Sequence, residues 1–111
     1  VVPFDVDKAA DYPELIHSEI AAMREQTDGV VVFCDLLGGT PFNQAMMASQ
    51  TTPDVEIVVG ANLPMLIETL FARSSDANAT IGSLVETAVN AGKNGVDTRK
   101  FEVCADDEDD E

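Results

Sequence analysis

An open, mostly parallel α/β sheet with helices on both faces is the fold class this sequence predicts, and three features predict it. Gly29-Val-Val-Val-Phe-Cys34 is a continuous β-branched run, the pattern of a strand buried on both faces of a parallel sheet. Val55 to Val59 is a second such run, closed by Gly60. Segments with helical spacing, each about 10 to 15 residues long, alternate with the runs and call for right-handed crossovers.

The elements follow in order. Val1, Val2, Phe4 and Val6 suggest a short strand, although Pro3 counts against it. Asp11 reads as a helix cap, with Glu14 at capping-box spacing. Tyr12, Leu15, Ile16, Ile20 and Met23 then recur at helical spacing and predict a helix from Tyr12 to Gln26. A turn from Asp35 to Thr40 leads into a second helix, Pro41 to Gln50. Asn62 can cap a third, with Leu63, Leu66, Ile67, Leu70 and Phe71 on its inner face. After a polar connection, Ser74 to Ala79, Thr80 can cap a fourth, its Ile81, Leu84, Val85 and Ala88 facing inward and Gly92 near its end. Val96 and Phe101 to Val103 are candidates for a last strand. There is no internal repeat and no linker. The chain's 111 residues suit one hydrophobic core, so residues 1–104 read as one domain and residues 105–111 as a solvated, disordered acidic tail.

Charge narrows the partners. The formal net charge is −15, with only three Lys and three Arg. Nucleic acid and anionic membrane surfaces both require clustered cations and are excluded as partners. A basic protein partner fits, as does a salt-rich cytoplasm. The longest apolar runs are too short to cross a bilayer, and the acidic start lacks the pattern of a signal peptide, so a cytoplasmic location without membrane insertion is expected. Cys34 and Cys104 form no CxxC pair and no Cys/His cluster. No metal and no cofactor is expected, and Cys34 reads as a small buried hydrophobe.

The chemistry concentrates in Asp35-Leu-Leu-Gly-Gly-Thr-Pro-Phe-Asn43. Thr40 before Pro41 signals a helix start, a hydroxyl at the cap followed by a residue with preset φ. Gly38 and Gly39 allow a sharp turn and leave their amides uncovered. Such a loop, at a helix end carrying about half a positive charge, can cradle a phosphate. It also follows the carboxyl end of a parallel strand, where open α/β sheets bind ligands. A carboxylate beside that cradle has two sensible tasks: holding a metal ion, or accepting a hydrogen bond from a histidine whose other nitrogen faces the phosphoryl group. No second acid is close in sequence, which favours the histidine. On physical grounds alone, a bare strand-to-helix turn with Asp35 as a local cap accounts for the motif equally well. His17, the chain's one histidine, shares a polar helix face with Glu14 and Arg24. It reads as a solvated surface residue rather than the phosphoryl acceptor.

These nine residues are similar to the D-x-x-G-G-S/T-P-F-N signature of enzyme IIA of the mannose family of the bacterial phosphoenolpyruvate:sugar phosphotransferase system. Gly60-Ala-Asn-Leu-Pro-Met-Leu-Ile-Glu-Thr-Leu70 resembles that family's second recurring stretch, and Ala88 to Val96 continues the likeness. The resemblance implies a four-stranded parallel sheet plus an antiparallel C-terminal strand, around Val96 to Val103, exchanged within a homodimer. It implies a phosphotransferase cycle: a histidine accepts phosphate from the phosphocarrier protein HPr and passes it to a IIB component for sugar uptake. Asp35 would orient that histidine. Gly38, Gly39 and Thr40 would hold the phosphoryl oxygens, Thr40 through amide and hydroxyl together.

The chain departs from the pattern at its start. Family members carry a strand, a loop bearing the active histidine and a helix ahead of the residues matching Val1. That strand is central, between those matching Val1 to Val6 and Val30 to Cys34, so the domain is expected to be N-terminally incomplete here. The alternative reading is a regulatory or dimerisation domain of the same kind within a transcriptional activator. Nothing in the residues selects among mannose, fructose, sorbose, amino-sugar and gluconate-type substrates.

Overall fold

The structure, a computed structural model, describes residues 2–101. Two strands, β1 (Val30–Cys34) and β2 (Val55–Val59), pair in parallel with Val30 opposite Val55 and Cys34 opposite Val59. Four helices accompany them: α1 (Tyr12–Glu25), α2 (Thr40–Thr51), α3 (Leu63–Ser75) and α4 (Ile81–Asn94).

The period of two along each strand sorts the core into two halves. Val32 and Cys34 of β1, with Val55, Ile57 and Val59 of β2, pack with Tyr12, Ile16 and Ile20 of α1 and with Ala45 and Ala48 of α2. Val31, Phe33 and Val58 pack on the other face, with Met65 of α3 and Val85, Ala88 and Val89 of α4. Helices therefore cover both faces, as the continuous β-branched runs predict.

Chain direction fixes which end of the sheet carries the site. The start of α1 meets the end of β1, since Tyr12 and Cys34 share one buried cluster. The far end of α1 meets the approach to β2. There the Arg24 guanidinium donates to the Pro53 carbonyl at 2.9 Å and pairs with the Asp54 carboxylate at 3.0 Å. The segment before α1 thus lies at the carboxyl end of the strands, beside the β1–α2 loop.

Several expectations need correction. No strand occurs in Val2–Asp5. Those residues are irregular, and Val6–Asp11 forms a 3₁₀ helix whose first turn is capped by Asp5 accepting from the Asp7 amide at 3.0 Å. A strand forms by pairing, and none of the described strands lies where this one would need its neighbour. Val2 instead packs against the α1 cluster, and Phe4 meets Tyr12 edge-on at 4.8 Å. Asp11 makes no side-chain cap, because it already has helical φ and ψ (−91°, −10°) and continues the 3₁₀ turn into α1. Residues 96–101 form no strand. Glu102, Val103, Cys104 and the acidic tail lie outside the described residues.

The face expected to turn inward on α3 is exposed instead: Leu63, Ile67, Leu70 and Phe71 stand 56 to 68% open. The buried residues of α3 are Met65 and Thr69. The cause lies on α4, where the small residues Ala88 and Gly92 are fully or nearly fully buried. A Cβ placed on Gly92 would come within 2.6 Å of the Met65 side chain, so α3 seats its methionine in that notch. Helix α4 runs to Asn94 with Gly95 at its C-cap, so Gly92 lies in its last turn, near its end as expected.

Met65 is 3% exposed and joins α3 to the sheet cluster. Met65→Ala should destabilise the fold by about 2–5 kcal/mol, through lost burial plus the cavity left behind. Urea unfolding followed by circular dichroism measures this directly. A midpoint matching that of the unaltered chain would show that the α3–α4 seam is not tightly packed.

Candidate functional site

The site is built where β1 ends. Cys34 is the last buried residue of the strand, and Asp35 follows it into solvent. Leu36 and Leu37 are 67% and 69% exposed. Gly38 then takes φ +83°, a left-handed conformation in which a side chain would be strained. A Cβ there would meet nothing within 4 Å, so the requirement is conformational rather than steric. Gly39 is extended (φ −78°, ψ 171°) and holds the N-cap position of α2. The Asn43 amide donates to its carbonyl at 2.9 Å, which sets the first helical turn.

This corrects one detail of the expected site. Thr40 was expected at the cap; the structure places it one residue later, as the exposed first residue of α2 with Pro41 behind it. Because the Gly39 carbonyl already accepts from Asn43, the helical ladder begins a residue sooner than the Thr-Pro pair indicates. Asp35, Gly38, Gly39 and Thr40 are nevertheless gathered in one exposed turn, as their sequence proximity requires.

This helix begins differently from α3 and α4 and, like α1, has no side-chain cap. At the start of α3, Asn62 accepts from the Met65 amide at 3.1 Å and donates to the Gly92 carbonyl at 3.0 Å. At the start of α4, Thr80 and Ser83 form a reciprocal capping box. No side chain caps α2. Pro41 has no N–H to offer, and the first amides of a helix have no acceptor within it. The starts of α3 and α4 are thus capped by side chains, whereas a bare helix start such as that of α2 can receive an anion.

Behind the loop the environment is apolar. Burial pushes the Cys34 thiol above its usual range, and the adjacent Asp35 carboxylate adds to the effect. Burial likewise raises Tyr12, with Cys34 a second cause. Both groups therefore stay neutral near pH 7. Because folding raises these pKa values, the stability linked to them is complete below the unfolded values and is lost as pH rises through the folded ones. Alkaline titration from the ordinary thiol value of 9.0 upward should progressively destabilise the fold, and Cys34→Ser should flatten that dependence. A profile unaffected by the substitution would show that Cys34 is not the linked group.

Two shallow clefts flank the sheet. One of about 250 Å³ lies at the carboxyl end, against Gly60, Asn62, Met65 and Lys93. The other, about 330 Å³, lies at the amino end, against Asp54, Glu56 and Ile81, away from the loop. Gly60 follows β2 with φ +77° and echoes Gly38; the Ala61 amide after it donates to the Cys34 carbonyl at 3.0 Å. The two strand-to-helix turns thus sit side by side. His17 is half-buried in the second turn of α1, next to the core residue Ile16. Among the described residues, no group of three or more His, Cys, Asp or Glu could hold a metal ion, and no helix is long and apolar enough to cross a membrane.

A doubly covered parallel sheet with an uncapped glycine turn at its carboxyl end defines an α/β domain suited to binding an anionic group. Comparison with known proteins makes the class specific: the chain belongs to the mannose-type EIIA family, whose model, described as "PTS system fructose IIA component", matches residues 4–89. The mannose-specific EIIAB components of Escherichia coli K12 and Shigella flexneri are each 37% identical over 87 residues. That match covers 78% of this chain but only 26% of each relative. The mannose/sorbose-specific IIA subunit from Enterococcus faecalis superimposes with a TM-score of 0.67 at 29% identity, over 87% of this chain and 72% of that one. The phosphotransferase system component EIIA from Streptococcus agalactiae gives a TM-score of 0.66 at 25% identity, over 78% and 66%.

Proposed function

We propose that this chain supplies the phosphate-binding half of a phosphohistidine carrier in cytoplasmic sugar uptake. The histidine accepts a phosphoryl group from HPr and passes it to a IIB component. The observation that carries the reading is the uncapped start of α2 beside Asp35. The amides of Gly38, Gly39 and Thr40 and the Thr40 hydroxyl would bind the phosphoryl oxygens. Asp35 would accept a hydrogen bond from the imidazole, fixing its tautomer and aiming the other nitrogen at phosphorus. The group in flight spreads negative charge over its equatorial oxygens, and preorganised amides at a helix terminus stabilise that charge.

The reading places the histidine in a segment that precedes Val1 in the full-length protein, arriving on a strand alongside β1. Support comes from the edge of β1. The Val30 amide donates its ladder bond to the Asp54 carbonyl on the β2 side. Alternation then turns the backbone groups of Val31 and Phe33 the other way, where no described strand pairs with them. A parallel strand there would satisfy those groups and end beside Asp35. A homodimer completes the proposal.

The test is incubation of the full-length protein with phosphoenolpyruvate, enzyme I and HPr. An acid-labile, alkali-stable phosphate on a histidine upstream of Val1 is the expected product. Labelling at His17, or no labelling with active HPr present, would overturn the assignment.

A further inference from the structure

Resting on that reading, we propose that Asn43 is the positioning residue of the phosphate cradle, holding the two peptide planes that present the Gly39 and Thr40 amides. Asn43 lies in the first turn of α2 and reaches back to the loop twice. Its backbone amide donates to the Gly39 carbonyl at 2.9 Å. Its side-chain amide donates to the Gly38 carbonyl at 3.4 Å, five residues earlier and beyond the N-cap.

The consequence follows from peptide geometry. A trans peptide carries its C=O and N–H on opposite sides, and the described peptides are all trans. Drawing the Gly38 carbonyl toward Asn43 therefore turns the Gly39 N–H away from the helix. The Gly39 carbonyl, held by the same residue, turns the Thr40 N–H the same way. The backbone bond is common to any helix start; the side-chain bond is particular to Asn43. It acts where restraint is weakest, because Gly38 (φ +83°) and Gly39 have no Cβ to limit the peptide between them. Helix propensity does not account for asparagine here, since Asn43 is exposed and Ala or Gln would favour the helix more. Donors stabilise a transferring phosphoryl group best when they are aimed before it arrives. Once the Gly39 N–H meets that charge, its peptide polarises and the bond from Asn43 strengthens.

The test compares Asn43→Ala and the isosteric Asn43→Asp in the full-length protein. A carboxylate keeps the shape but has no donor, and it repels the Gly38 carbonyl. Near a helix start it also favours the helix, so a role confined to the helix predicts that Asn43→Asp preserves function. The expected result is the opposite. Transfer from phospho-HPr should slow about tenfold or more in both variants, in kcat rather than KM. The melting temperature of Asn43→Asp should hold or rise. In the unphosphorylated protein, the Gly38 carbonyl carbon resonance should move upfield in both variants as its hydrogen bond is lost. An unmoved Gly38 resonance, an unchanged transfer rate, a rate restored by Asn43→Asp, or losses matched by falls in melting temperature would each overturn the proposal. Failure of the parent reading is distinct: the unaltered protein would then accept no phosphate from phospho-HPr, and this inference would fall with it.

Discussion

Asp35→Ala in the full-length protein is expected to slow phosphoryl transfer on the order of a hundredfold or more while leaving the fold intact. Asp35 is exposed, makes no ion pair among the described residues, and lies past the last strand residue. Its removal should therefore change stability by no more than about 0.5 kcal/mol. The rate loss has a different origin: without the carboxylate, the imidazole samples the wrong tautomer and the wrong ring orientation. Asp35→Asn should rescue little, since an amide can donate as well as accept and does not enforce one tautomer. Rapid-quench transfer from phospho-HPr, paired with thermal melting, separates the two effects. An unchanged transfer rate would remove Asp35 from its assigned role.

Gly38→Val is expected to damage both fold and function. At φ +83° a β-branched side chain costs about 1–2 kcal/mol or more, and the loop can relieve the strain only by turning its amides. Transfer should fall further than stability alone explains, because the phosphoryl oxygens lose their pre-aimed donors. Gly39→Ala provides the contrast. With φ −78° its backbone is ordinary, and the added Cβ meets only normal contacts at 3.8 and 3.9 Å. Stability should hold there. Similar melting temperatures for Gly38→Val and the unaltered chain would show that the left-handed turn is not needed.

Much of this was legible in the sequence because the signals were local. The β-branched runs placed both strands, and Asn62 and Thr80 announced the caps of α3 and α4 through their spacing to the helices that follow. The glycine pair and Asp35 marked the turn between β1 and α2. What was hidden depended on neighbours distant in sequence. On α3 the apolar residues run nearly all the way round, so periodicity offered several inner faces, and only the notch at Gly92 selected Met65. The start of the chain reads as a strand by composition, yet Val6–Asp11 coils into a 3₁₀ helix because a strand needs an edge to pair with. Thr40 shifted by one residue because a glycine can occupy the N-cap without a side chain. The exposure of Leu36 and Leu37 had no sequence signal at all, since an apolar pair after a strand is ordinarily read as core.

Amide chemical shifts, recorded on the full-length protein before and after phosphorylation, probe the heart of the mechanism. Gly38, Gly39 and Thr40 should show the largest downfield movements, as each N–H gains a charged acceptor, while the starts of α3 and α4 barely respond. Resonances of those three that stay put while phosphate is bound elsewhere would contradict the account.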